Sequence, residues 1–171
     1  MKAGIAQRLD RLARNLVPVG LTTLLLLVTL VPSRLPGFAQ VVPTLGLMSV
    51  YYWAIHRPDL LPAWMALLLG LLHDVLTGMP LGVGALAFVM LHGVVQNQRK
   101  LLVGKAFAVA WWGFLIVGGG ALLLMWLLTS VLAGAMVRPE PVIFQYLASA
   151  AFYPVLGWLL GCTHGALLRD A

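Results

Sequence analysis

Residues 60–95 read LLPAWMALLLGLLHDVLTGMPLGVGALAFVMLHGVV. Two apolar runs, Leu60–Gly78 and Leu81–Val95, are divided by Gly78-Met79-Pro80, a helix stop followed by a residue suited to starting another helix. A bilayer core about 30 Å thick needs around 20 apolar helical residues, and fewer suffice when flanking side chains reach the interface. The stretch therefore reads as a hairpin of two membrane-crossing helices. Within it stands a single acid, Asp74.

The same alternation runs along the whole chain. Six apolar spans are expected at about 16–31, 40–55, 60–78, 81–95, 107–133 and 142–167, separated by segments such as His56-Arg57-Pro58-Asp59 and Arg138-Pro139-Glu140-Pro141. The second and fourth are the shortest, near ~24 Å at 1.5 Å per residue. Of the 171 residues, 61% are hydrophobic and 9% are charged. A soluble domain carries about 25% charged residues, so a soluble enzyme and a disordered regulator are both excluded. The expectation is an all-α integral membrane protein, a single bundle of six transmembrane helices.

Eleven basic and five acidic residues give a net charge of +6. Lys2, Arg8, Arg11, Arg14, Arg57, Arg99, Lys100, Lys105 and Arg169 fall on one side of a six-span chain, and Arg34 and Arg138 on the other. That asymmetry is a topology signal, not a nucleic-acid footprint, and it predicts both termini in the cytoplasm. Trp53, Trp64, Trp111 and Trp112 fall near the cytoplasmic span ends, where amphipathic rings favour the headgroup layer. Before the first span, Ile5, Leu9, Leu12 and Leu16 form one apolar stripe, with Arg8, Arg11 and Arg14 off it. Residues 1–15 thus read as a helix on the inner leaflet, either a topology anchor or a docking site for a cytoplasmic partner. Gly37-Phe38-Ala39 has the small-x-small form of a cleavage site, but the long basic region before the apolar run and Arg34 argue for retention as a span.

Asp74 is the one charge well inside a span, and a carboxylate there is costly unless paired or wet. It lies four residues, about 6 Å, before Gly78. Pro80 opening the next helix would turn that helix's unpaired N–H groups back toward Asp74, so the expected role is to lock the hairpin. His73 should point about 100° away, and simple hairpin geometry sets His92 about 10 Å deeper, level with Leu67. With His56 and His164 near the cytoplasmic boundary, the histidines form no metal site, and no nucleophile, phosphate-loop or dinucleotide motif occurs. No cofactor and no catalytic residue is expected. Cys162 reads as a small packing residue.

Gly157, Gly161 and Gly165 recur every four residues on one face of the last span, which permits close approach of another helix, from within the chain or from a partner. Gly118-Gly119-Gly120 leaves the fifth span free to tilt, bend or pack tightly, and Pro154 suggests a kink in the sixth.

Tyr52-Trp53-Ala54-Ile55-His56-Arg57-Pro58-Asp59-Leu60-Leu61-Pro62, followed by Gly70-Leu71-Leu72-His73-Asp74-Val75-Leu76-Thr77-Gly78-Met79-Pro80-Leu81-Gly82, resembles the rod shape-determining protein MreD family. Gly-Leu-x-x-Asp with its Gly-x-Pro-Leu-Gly continuation is the most specific part, and Tyr153-Pro154 with Leu-Gly-Trp-Leu-Leu is a weaker echo. The specific resemblance covers about 35 residues, with size and hydropathy matching over the rest. It implies an inner-membrane, non-catalytic component of the cell-elongation machinery for peptidoglycan synthesis. It also implies action with MreC, MreB, RodA and a penicillin-binding transpeptidase, and a six-helix fold similar to substrate-binding subunits of energy-coupling-factor transporters. Its motif positions here are Gly70, Asp74, Gly78, Pro80 and Gly82. The favoured expectation is a scaffold binding MreC through membrane helices; the alternative is the substrate-binding subunit of a small-molecule (vitamin) transporter. Short outer loops, one of them just Gly78-Met79-Pro80, favour the scaffold.

Overall fold

The computed structural model describes residues 18–29, 43–104 and 107–167, with the backbone alone at 102 and 164–167. The amphipathic helix expected over 1–15, with Arg8, Arg11 and Arg14, lies outside the described residues, as does Arg34. All regular structure among the described residues is helical: α1 (Pro18–Thr29), α2 (Leu45–His56), α3 (Ala63–Thr77), α4 (Val83–Asn97), the short α5 (Arg99–Leu102), α6 (Phe107–Ala133) and α7 (Glu140–Leu167). α6 and the Glu140–Thr163 part of α7 are long and apolar enough to cross a membrane; α1, α3 and α4 are apolar but shorter.

α2 is the centre of the bundle. Gly46 to Ile55 are all buried, and a helix that is apolar on every side belongs in such a place. α1, α4, α6 and α7 pack around it. Leu26 of α1 fills the space that a side chain at Gly46 would need, and the Thr22 and Ser49 hydroxyls share a hydrogen bond of 2.8 Å. Thr44 donates through its backbone N–H to Ser149 Oγ of α7 at 3.0 Å. Trp53 is fully buried here, not presented to the headgroup layer, because α2 is enclosed along its length; of the four tryptophans expected at the cytoplasmic span ends, Trp64 and Trp112 are exposed.

α6 runs unbroken through its three glycines. Gly119 leaves room for the Tyr146 ring of α7, whose hydroxyl donates to the Leu115 carbonyl at 3.0 Å. α7 likewise continues through Pro154. Proline lacks the N–H that would bond the carbonyl four residues back, at Ala150. Trp111 Nε1 of α6 donates to that carbonyl at 3.0 Å, so a neighbouring helix satisfies the freed group, as membrane helices require.

Candidate functional site around Asp74

α3 ends on Gly78, which takes a left-handed conformation (φ 70°) with no side-chain strain. The N–H groups of Gly78 and Met79 both donate to the Asp74 carbonyl. The chain then turns through Pro80 and Leu81 to Gly82, at φ 102°, which caps α4 without a side chain of its own. Asp74 supplies the missing cap. Its carboxylate accepts from Gly84 N–H at 2.7 Å on Oδ1, and on Oδ2 from Gly82 N–H at 2.9 Å and Ala85 N–H at 3.4 Å. One residue thus closes α3 with its main chain and caps α4 with its side chain, where the helix dipole favours a negative charge.

Pro80 does not open α4. The helix begins at Val83, because the left-handed Gly82 interrupts the chain between them, and Pro80 contributes a carbonyl that accepts Val83 N–H at 3.3 Å. The other motif glycine acts by absence of bulk. A Cβ on Gly70 would lie 2.5 Å from Ala85 Cα and 2.7 Å from Gly84 O, so the two backbones meet only because the residue is glycine. Gly84, which the motif reading passed over, is equally constrained: a Cβ there would run into Asp74 Oδ1. Its position two residues after Gly82 was the available signal. The five motif positions Gly70, Asp74, Gly78, Pro80 and Gly82 therefore meet in one interlock between α3 and α4.

Asp74 is 0% exposed, and both its oxygens are taken by main-chain donors. His73 sits closer than its helical offset suggests, with Nδ1 3.8 Å from Asp74 Oδ1. That is too long for a hydrogen bond, and Nδ1 has no hydrogen-bond partner among the described residues. His92 reaches back to Leu61, before α3, and makes no hydrogen bond or ion pair with Asp74 among the described residues. Its Nε2 donates to the Leu61 carbonyl at 2.7 Å, which pins the turn before α3. His56 Nδ1 donates to Tyr52 O of its own helix at 2.9 Å, its ring stacked on Tyr52. Among the described residues no group of three or more potential ligands could hold a metal.

On α7, Gly157 faces the Phe107 ring and Gly161 the Tyr52 hydroxyl, both within the chain; the surroundings of Gly165 and His164 lie outside the described residues. Cys162 is exposed rather than packed. Tyr153, Leu156 and Leu160 carry the buried face of α7, and Cys162 lies off that face.

Neither the curated proteins nor the solved structures contain a match to the chain. The family model described as rod shape-determining protein MreD matches residues 10–162 of the 171. That span takes in the whole α3–α4 interlock and every helix around it as far as Cys162. The chain belongs to the rod shape-determining protein MreD family and is a helical membrane protein.

Proposed function

We propose that this protein is a non-catalytic scaffold of the cell-elongation complex in the bacterial inner membrane, crossing it six times with both termini in the cytoplasm. The observation that carries this reading is the state of Asp74. Among the described residues it is the only buried carboxylate, and three backbone donors engage it, which supports a structural cap over a general acid or base at this position. What the molecule offers instead is helix surface. Large apolar side chains such as Ile116, Leu123, Phe144, Phe152 and Trp158 point outward from α6 and α7.

MreC is the proposed direct partner, with MreB, RodA and a penicillin-binding transpeptidase in the same assembly. Its docking face on this chain is the groove of about 240 Å³ between α4 and α6, lined by Met90, Val94, Gly113, Ile116, Val117 and Gly120. Gly113 and Gly120 are seven residues apart and give a partner helix a close approach. Gly157 and Gly161 serve packing within the chain, and Gly70, Gly78, Pro80 and Gly82 hold the hairpin. A six-helix arrangement like that of energy-coupling-factor substrate-binding subunits fits the same account.

Co-purification with MreC tests the docking face. A Cβ on Gly120 would meet nothing within 4 Å and Gly120 lines the groove, so Gly120→Leu directs added bulk into that groove. The variant is expected to fold normally and lose MreC, while Gly161→Leu keeps it. Retention of MreC by Gly120→Leu, with loss in Gly161→Leu, would move the interface to α7.

A further inference from the structure

The groove between α4 and α6 is polar at one end only. Its lining runs from Met90 to Gln98 on α4 and from Gly113 to Ala121 on α6. Eight residues of advance on each helix make it about 12 Å long at 1.5 Å per residue. That is close to the depth of one leaflet, half of a hydrocarbon core about 30 Å thick. Gln98 marks the end that the proposed topology puts at the cytoplasmic surface, and the other lining residues are apolar or glycine.

Two cations stand directly beyond Gln98. Arg99 and Lys100 begin α5. Arg99 Nε donates to the Ile55 carbonyl at 3.0 Å, which fixes the guanidinium against the last turn of α2, where the helix dipole is negative. The bond uses Nε alone, so both NH2 groups stay available to an anion. Lys100 is exposed. Neither residue forms a salt bridge among the described residues, and no acid lines the groove. On the turn after α2, Arg57 and Asp59 offset each other, so Arg99 and Lys100 leave this end positive. Beside them Leu101 is 66% exposed and Val103 47%. Apolar side chains next to basic ones suit the boundary between headgroups and acyl chains, not open water.

We propose that the groove holds one acyl chain of an anionic inner-leaflet phospholipid, whose phosphate is bound by Arg99 and Lys100. Three features fit that ligand together: the length of one leaflet, an apolar lining, and paired cations at the mouth, of the types that bind phosphate. MreC is proposed to dock in the same groove, so lipid and MreC exclude one another there. Only that consequence rests on the scaffold reading.

The test uses the purified full chain in detergent, read by native mass spectrometry. The probes are phosphatidylglycerol, phosphatidylcholine with the same acyl chains and no net charge, and glycerol 3-phosphate. Two basic residues at about fivefold each predict a preference for phosphatidylglycerol over phosphatidylcholine of roughly 25-fold. Lys100→Gln should cut that preference about fivefold. Arg99→Gln combined with Lys100→Gln should abolish it, with phosphatidylcholine binding as in the wild type. Gly120→Leu, which directs bulk into the groove, should displace both lipids. Equal binding of the two lipids by the wild type, or an undiminished preference in the double variant, overturns the proposal. Retention of phosphatidylglycerol by folded Gly120→Leu, or its displacement by an equal concentration of glycerol 3-phosphate, does the same. The two readings fail separately. Loss of MreC from Gly120→Leu in a chain that binds no lipid removes the lipid alone. Lipid binding as expected, with MreC retained by Gly120→Leu, removes the docking face alone.

Discussion

Replacing Asp74 by alanine removes the cap of α4 and strands its donors. Gly84 N–H at 2.7 Å and Gly82 N–H at 2.9 Å make full hydrogen bonds to the carboxylate, and Ala85 N–H at 3.4 Å a weak one. Hydrogen bonds to charged groups contribute about 1.5–3 kcal/mol each. Counting the two short bonds, and omitting the third, gives a loss of roughly 3–6 kcal/mol, a large part of the about 5–15 kcal/mol that holds a typical protein folded. For a chain of this length about 1 kcal/mol shifts the melting temperature by 2–4 °C, so Asp74→Ala should melt about 10 °C lower. Asp74→Asn keeps one acceptor oxygen but turns an NH2 toward N–H donors, and should lose about 2 kcal/mol. The assay is thermal unfolding of the purified protein in detergent, beside complementation of cell shape. Melting within about 3 °C of wild type, together with loss of complementation, would refute the structural role and return Asp74 to chemistry.

Other substitutions separate close approach from mere helix propensity. Gly70→Ala forces α3 and α4 apart at Ala85 Cα, and is expected to cost more than about 2 kcal/mol in the same unfolding assay. Gly93→Ala, where a Cβ would meet nothing within 4 Å, should be neutral or stabilise by up to about 1 kcal/mol. Trp111→Phe strands the Ala150 carbonyl that Pro154 leaves without its own donor, for a loss of about 1–2 kcal/mol. With Pro154→Ala in the background that loss should shrink, and a double-mutant cycle measures the coupling.

Much of the fold was legible because apolar runs and their breaks are strong signals. α6 occupies Phe107–Ala133, the run expected there. α7 begins two residues early, at Glu140, because an acid and a proline fit the first turn of a helix as well as they fit a loop. α3 starts later than its run, because Pro62 precedes the helix and restricts Leu61 to extended backbone. The central burial of α2 left no mark on its residues, since lipid and protein interior ask for the same apolar side chains. At the interlock, Asp74 and its direction toward α4 could be inferred from spacing, whereas the left-handed Gly82 that displaces Pro80 from the helix could not. The groove between α4 and α6 was illegible because two separate segments form it only when packed.

Depletion of this protein from rod-shaped cells, scoring shape while following MreC in the purified elongation complex, tests the scaffold role most directly. Rounded cells whose complexes have lost MreC are the expected result. Cells that keep their rod shape and become vitamin auxotrophs would contradict it, and would make the chain a transporter's substrate-binding subunit.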